Sequence, residues 1–173
     1  MTATASASDA RVIRVPAPRW AWLLATFFGA GRLRPGPGTW GSLAALGLWW
    51  GVGHWIPGPW RPGAALGFAA AAVLLGIPAA TRVARELGDG DPSCVVIDEV
   101  AGQMLALVAV PFYWQSLLAA FILFRAFDIV KPPPVRQLEN LPGGVGIVLD
   151  DVGAGLYAWG IVQLLLRFRI LNS

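Results

Sequence analysis

The stretch CVVIDEVAG, residues 94–102, decides the fold prediction because it places two adjacent carboxylates, Asp98 and Glu99, at the mouth of an apolar run. Residues 100–124 contain no charged side chain. An ionised carboxylate in such surroundings is costly unless a cation or hydrogen bonds offset its charge. A second doublet, Asp150-Asp151, also precedes an apolar segment. The doublets predict a site that holds a divalent metal, with N-terminal helix capping as the alternative for each.

The composition indicates a membrane protein. The chain is 56% hydrophobic and 13% charged, whereas soluble domains carry about 25% charged residues. The nine Trp residues favour the boundary between lipid headgroups and hydrocarbon. The net charge of +3 is not gathered into a basic patch with interleaved aromatics, so we expect anionic lipid rather than nucleic acid as the partner.

The scarcity of histidine and cysteine excludes several kinds of site. With one His and one Cys, the chain has no zinc-ligand spacing, and a Ser-His-Asp triad is improbable. A cluster of Asp and Glu without His suits Mg²⁺, which prefers carboxylate oxygens and retains water ligands.

The chain divides into a mobile tail, residues 1–19, and a single domain, residues 20–173. The short apolar segment 20–28 is expected to form a helix at the membrane surface. Three further segments predict apolar helices: residues 41–56, 63–80 and 152–166. Pro78 is expected to end the second of them. We therefore predict an all-α, membrane-embedded helical bundle with several short transmembrane or re-entrant helices.

The segment 100–124 determines the topology. Pro111 divides it, so it forms either one kinked span or a tight helical hairpin. With the hairpin, the polar regions 28–42, 81–99 and 125–151 all emerge on one side of the membrane. This side carries most of the basic residues, and the positive-inside rule makes it cytoplasmic.

A third group of charged residues lies in FRAFDIVKPPPVR, residues 124–136. Arg125, Asp128 and Lys131 recur every three residues and share one helix face, where an intrahelical ion ladder is the alternative interpretation. The prolines that follow end the helix, and Lys131 and Arg136 flank the corner. Basic residues near a carboxylate–metal site suit a phosphate ester.

Two glycine-rich segments could bind an anion through backbone N–H groups. The first, residues 28–42, adds the hydroxyls of Thr39 and Ser42, and a simple turn before a helix is its alternative. It lacks the Gly-Lys-Ser/Thr ending of a P-loop. The second contains Gly143 and Gly144.

Taken together, the four stretches resemble the phosphatidylglycerophosphatase A family. The matching motifs are GxG…PGTxGS (residues 29–42), DPSxxVIDExxG (91–102), FRxxDxxKPxPxR (124–136) and LPGGxGIxxDDxxAG (141–155). They follow the family's order and cover residues 20–166.

The resemblance implies Mg²⁺-dependent hydrolysis of phosphatidylglycerophosphate to phosphatidylglycerol and inorganic phosphate, in a bacterial inner membrane with the site facing the cytoplasm. We expect the metal ligands to be Asp98, Glu99, Asp150 and Asp151. The expected catalytic residues are Asp98, Asp128 and Asp150. The expected substrate-binding residues are Thr39, Ser42, Arg125, Lys131, Arg136, Gly143 and Gly144.

Two other functions compete with this one. A small ion transporter would use the carboxylates as pathway residues, but it predicts them within the spans rather than beside loops. A CDP-alcohol phosphotransferase is also metal- and lipid-dependent, but its spaced aspartate signature, DGxxAR…GxxxD, is missing.

Overall fold

The structure, a computed structural model, describes residues 15–171 and contains no strand within that range. Its seven α-helices are α1 Arg19–Ala25, α2 Pro37–Gly53, α3 Arg61–Leu87, α4 Ile97–Ala106, α5 Trp114–Val130, α6 Val135–Leu138 and α7 Gly144–Arg167. The all-α prediction is confirmed. Residues 1–14 of the predicted mobile tail lie outside the described residues. Within the rest of that segment, the Ala17 N–H donates to Glu86 at 2.7 Å.

Two of the helices are long and apolar enough to cross a membrane. They comprise residues 58–87, which include α3, and residues 144–167, which form α7. Helix α4 has only 10 residues, about half of the length that a bilayer requires.

Helix α3 continues past Pro78 to Leu87, so the prediction that Pro78 ends it was wrong. Proline removes the backbone hydrogen bond to the Leu74 carbonyl, but α3 is buried against other helices on both sides of it, at Gly76 and Ala79. Thr81 Oγ1 donates to the Ile77 carbonyl at 2.7 Å, and Arg82 Nη1 donates to the Pro78 carbonyl at 2.9 Å. The helix ends at Gly88, which has a left-handed backbone with φ of 66°.

Two other helices begin earlier than predicted. Helix α2 starts at Pro37 rather than at residue 41, with proline in the first turn, where its missing N–H costs nothing. Helix α7 starts at Gly144 rather than at residue 152. Asp150 and Asp151 therefore lie in the second turn of α7 and not at its start, which removes the capping alternative for this doublet.

The helical hairpin is confirmed. Helices α4 and α5 are separate, and the turn between them contains Pro111 and Ala109, whose φ is 57°. The start of α4 and the end of α5 lie at the same end of the bundle, since Glu99 Oε1 and Arg125 Nη1 are 3.8 Å apart. The first turn of α2 and the end of α3 lie at this end too. We call it the polar end.

The core is built around α4, which packs most extensively against α7 and α3. Glycines allow the closest approach between α4 and α7. A Cβ at Gly155 would lie 2.5 Å from the Gly102 carbonyl oxygen and 3.0 Å from its Cα. The two backbones therefore touch directly beneath the acidic doublets.

We expect Gly155→Ala to destabilise the fold by about 1–3 kcal/mol, because the methyl group meets backbone that cannot rotate away. Gly160→Ala is the matched control on the same helix, since a Cβ there meets nothing within 4 Å. Thermal unfolding in detergent should show a lower Tm for the first variant and an equal or higher Tm for the control. Equal behaviour of the two variants would contradict the close helix contact.

Candidate active site

Three carboxylates converge at the polar end. One oxygen each from Asp98, Glu99 and Asp151 lie within 4.8 Å of one another. Asp98 and Glu99 occupy the first turn of α4, and Asp151 reaches them from α7. We call this group the acidic triad. Asp98 does not cap α4 in the usual way, because Val96 is the N-cap residue and Asp98 Oδ1 instead accepts the Glu99 N–H at 3.0 Å.

The triad has free coordinating capacity that fits a divalent metal. Glu99 Oε2 and Asp151 Oδ2 are buried and accept no hydrogen bond from any described residue. Asp98 and Asp151 are 7% and 3% exposed. Buried, unpaired carboxylate oxygens are costly alone, and oxygen-rich clusters of this kind are the ligand sets of Mg²⁺. The chemistry of the donor set therefore fits a hard cation without identifying which one.

Burial and mutual repulsion disfavour the charged forms of these groups. The pKa of Asp98 is raised well above its usual value, by burial first and then by the neighbouring charge of Glu99. Burial also raises the pKa of Glu99, and the charge of Asp128 acts in the same direction. A bound cation would reverse this balance by favouring the ionised carboxylates.

Arg125 stands beside the triad at the end of α5. Its Nη1 forms an ion pair with Asp128 and lies 3.8 Å from Glu99 Oε1. The predicted ion ladder is thus formed between Arg125 and Asp128, but Lys131 does not join it. Asp128 is 9% exposed and lies near enough to Glu99 to repel its charge, which places it at the rim of the triad.

Lys131 pairs with Asp150 and with Glu139, which sequence reasoning missed. Its Nζ donates to Asp150 Oδ2 at 2.7 Å and also to Glu139 Oε1. Burial alone would lower the pKa of Lys131, but the hydrogen bonds to Asp150 and Glu139 outweigh it and raise that pKa. Lys131 has a left-handed backbone, with φ of 47°, because it caps α5 before the proline run. No pattern in the sequence links Glu139 to Lys131 across that corner.

Asp150 is therefore not part of the acidic triad. It points to the Lys131 side of the site and borders an open cavity of about 410 Å³. Asp91, Glu139 and Gly143 also line this cavity. The assignment of Asp150 as a metal ligand stays a prediction, whereas its hydrogen bond with the Lys131 ammonium is a feature of the structure.

The first turn of α2 reaches the triad through Gly38. A Cβ at Gly38 would overlap Glu99 Oε1 and come within 3.1 Å of Arg125 Nη1. Thr39 follows in the first turn of α2 and is partly exposed. Ser42 is fully buried and donates its hydroxyl to the Gly38 carbonyl at 2.9 Å, so in this structure it supports the first turn of α2.

Arg136 and Gly144 are two further predicted substrate-binding residues, and the structure places them in different surroundings. Arg136 is exposed on α6 and forms no ion pair within the described part of the chain. The Gly144 N–H donates to Thr81 Oγ1 at 3.0 Å, so this amide is already engaged. A Cβ at Gly144 would overlap the Ile77 carbonyl, which indicates that this glycine is needed for packing of α7 on α3.

Three helix N-termini face the polar end, those of α2, α4 and α7, as the contacts of Gly38, Glu99 and Gly144 demonstrate. The N-terminal end of a helix carries a partial positive charge that favours anions. Together with Arg125 and Lys131, these ends provide a positive environment around the carboxylates.

We expect Gly38→Ala to lower activity by about 10–100-fold through displacement of Glu99, because misplacement by about 1 Å can cost this much. Its effect on stability should be within about 0.5 kcal/mol, since the atoms it meets are flexible side-chain ends. The control is Gly51→Ala on the same helix, where a Cβ meets nothing within 4 Å. Activity and Tm of both variants test this, and a loss of activity that is accompanied by a matching loss of stability would contradict it.

A buried acidic triad beside an arginine, at one end of a helical bundle, could bind a metal ion and suits the class of enzymes that act on phosphate esters. The family model described as phosphatidylglycerophosphatase A matches residues 23–166. The chain belongs to this family and is a phosphatase. With the candidate membrane helices, family membership indicates that the protein is membrane-associated.

Curated relatives agree on phosphatase activity but differ in named substrate. The chain is 43% identical over 138 residues to phosphatidylglycerophosphatase A of Haemophilus influenzae, covering 79% of this chain and 82% of that protein. It is 34% identical over 145 residues to the Escherichia coli protein of the same name, covering 83% and 81%. It is also 43% identical over 150 residues to a putative phosphatidylinositol-3-phosphatase of Bacteroides thetaiotaomicron, covering 82% and 91%. No solved structure matches the chain.

Proposed function

We propose that the protein is a Mg²⁺-dependent lipid phosphatase that removes the terminal phosphate of phosphatidylglycerophosphate and leaves phosphatidylglycerol. The observation that carries this proposal is the convergence of Asp98, Glu99 and Asp151 within 4.8 Å, next to Arg125 and Lys131. Family membership and the two relatives named for this reaction support the substrate.

The acidic triad would hold the metal, and Asp150 could contribute from the Lys131 side. When bound, Mg²⁺ supplies charge neutralisation at the phosphate and a site for an ordered water. The unpaired oxygens of Glu99 and Asp151 support this role.

The cations of the site would bind the phosphate oxygens. Arg125 can turn a guanidinium N–H from Asp128 toward the substrate, and Lys131 can share its ammonium between Asp150 and a phosphate oxygen. Asp128 would then orient the attacking water and accept its proton, or serve as a further ligand. The Thr39 hydroxyl and the N-terminal amides of α2 would lie behind the phosphate.

The protein would lie in the bacterial inner membrane with its polar end at the cytoplasmic surface. The first turn of α4, the end of α5 and the start of α2 meet at this end, so one headgroup can reach all of them. Most of the Lys and Arg residues of the chain lie in the polar regions, which supports the cytoplasmic orientation.

The test is phosphate release by purified protein in detergent. We expect release from phosphatidylglycerophosphate with Mg²⁺, none with a chelator, and recovery when Mg²⁺ is restored. Release that is unaffected by chelation would contradict the metal role.

The relative from Bacteroides thetaiotaomicron favours a second candidate substrate, phosphatidylinositol 3-phosphate. Both lipids should therefore be compared in the same assay. Phosphatidic acid is the control, because its single phosphate is attached directly to diacylglycerol and it has no polyol headgroup. A higher kcat/KM for phosphatidylinositol 3-phosphate would replace the proposed substrate while leaving the site assignment intact.

A further inference from the structure

An apolar groove runs along the outside of the bundle between α2 and α5. It has a volume of about 430 Å³, and its walls are Leu43, Leu46, Gly47 and Trp50 from α2 and Trp114 and Leu118 from α5. No charged side chain lines it. Four of these residues are exposed, with exposed fractions from 39% for Leu43 to 62% for Trp114.

One end of this groove leads to the active site. On α2, Leu43 follows Thr39 by four residues and so lies one turn beyond it on the same face. On α5, Leu118 precedes Arg125 by seven residues, which also places the two on one face. Because Gly38 and Arg125 approach each other at the polar end, the two helix faces that line the groove lead, beyond Leu43 and Leu118, to candidate phosphate-binding residues.

The distance from the far end of the groove to the candidate phosphate-binding residues matches the thickness of one leaflet of a membrane. Thr39 and Trp50 are eleven residues apart, and so are Trp114 and Arg125. At about 1.5 Å per residue, each distance along its helix is about 16 Å. Half of a hydrocarbon core about 30 Å thick is about 15 Å.

We propose that this groove binds one acyl chain of the lipid whose phosphate is hydrolysed, a role that rests on the proposed function. The occupant must be an amphiphile, since the groove is apolar along its length and the helix faces that line it continue to Thr39 and Arg125, whose guanidinium complements an anionic headgroup. The groove thereby holds the lipid in register, with its phosphate at the acidic triad. It distinguishes long-chain lipid phosphates from water-soluble phosphate esters.

Gly47 offers a direct way to fill the groove. A Cβ at this position meets nothing within 4 Å, so Gly47→Phe can enter the groove without distorting α2. Gly67→Phe on α3 is the matched control, because a Cβ there also meets nothing within 4 Å. Neither residue belongs to the catalytic machinery.

The experiment compares two forms of phosphatidylglycerophosphate in the same detergent, one with two oleoyl chains and one with two hexanoyl chains. We expect Gly47→Phe to lower kcat/KM for the oleoyl lipid by about tenfold or more, mainly through KM, and to leave the hexanoyl lipid nearly unchanged. Gly67→Phe should alter neither. Equal loss on both lipids, or no loss on either, would overturn the proposal. If kcat/KM falls equally for both lipids and the variant also has a smaller particle mass in detergent than the wild type, the groove binds a second copy of the chain. That result also overturns the proposal.

A binding measurement separates this proposal from the proposed function. The probe is phosphatidic acid with a photoreactive diazirine in the middle of one acyl chain. Labelling by this probe requires no turnover. We expect it to label peptides of α2 and α5 in the wild-type protein and to label them less in Gly47→Phe. Labelling without hydrolysis of either phosphatidylglycerophosphate would contradict the proposed function alone, whereas hydrolysis without labelling of α2 or α5 would overturn the groove assignment.

Discussion

Asp98→Asn is expected to abolish phosphate release and, at the same time, to raise the thermal stability of the metal-free protein. The loss of activity should exceed about 100-fold, since even changes beyond the direct ligands of a metal cost about 10–100-fold. The gain in stability follows from burial, because the substitution removes one of three crowded carboxylate charges. Asparagine retains the oxygen that accepts the Glu99 N–H at 3.0 Å.

The measurement is Tm of both proteins with a chelator and with Mg²⁺. With the chelator, Tm of the variant should be a few degrees above that of the wild type. Each kcal/mol gained in the free energy of unfolding should raise Tm by about 2–4 °C. With Mg²⁺, the wild type should gain stability and the variant should not. A variant that is less stable than the wild type without metal would contradict the mutual repulsion of the three buried carboxylates.

The same repulsion predicts a pH dependence of the metal-free wild type. The pKa of Asp98 is raised by burial above its ordinary value of 3.8, so the folded state binds a proton more readily than the unfolded state. Stability should therefore be greatest at low pH and fall as pH rises through the raised pKa. Asp98→Asn should show a flatter profile, and a profile as steep as that of the wild type would assign the dependence to other groups.

Lys131→Met is expected to destabilise the protein and to inactivate it. Lys131 Nζ lies 2.7 Å from the carboxylate of Asp150, which is 5% exposed. Removal of the ammonium leaves that carboxylate buried and unpaired, at a cost of about 3–5 kcal/mol. Activity should fall as well, because the site loses a cation that can bind phosphate.

A second substitution separates the two effects. In the double variant Lys131→Met with Asp150→Asn, no buried charge is left without a partner, so Tm should return close to that of the wild type while activity stays low. Glu139→Gln should change Tm little, because the Glu139 side chain is 42% exposed. A double variant as unstable as Lys131→Met alone would show that the stability of this corner does not depend on the ion pair.

Much of the fold was predictable because apolar runs and turn residues specify helices locally. The all-α class, the helical hairpin around Pro111 and the position of Asp98-Glu99 in the first turn of α4 all agree with the structure. The errors concern helix ends. Pro78 lies inside α3 because tertiary packing buries the helix on both sides of it, at Gly76 and Ala79, which the presence of a proline alone does not reveal.

The arrangement of the acidic residues was only partly predictable. Sequence spacing treats Asp150 and Asp151 alike, but neighbours on α7 point about 100° apart. Asp151 consequently meets Asp98 and Glu99, while Asp150 meets Lys131. The role of Glu139 depends on how the proline corner folds back onto α5, and nothing local in the sequence encodes that contact.

The most direct test of the central claim is the stabilisation by Mg²⁺ of wild type, Asp151→Asn and Asp150→Asn, measured as the change in Tm between chelator and excess Mg²⁺. If Asp98, Glu99 and Asp151 hold the metal, the change should be present in the wild type, absent in Asp151→Asn and largely retained in Asp150→Asn. Loss of the change in Asp150→Asn with retention in Asp151→Asn would place the metal on the Lys131 side of the site and contradict the account.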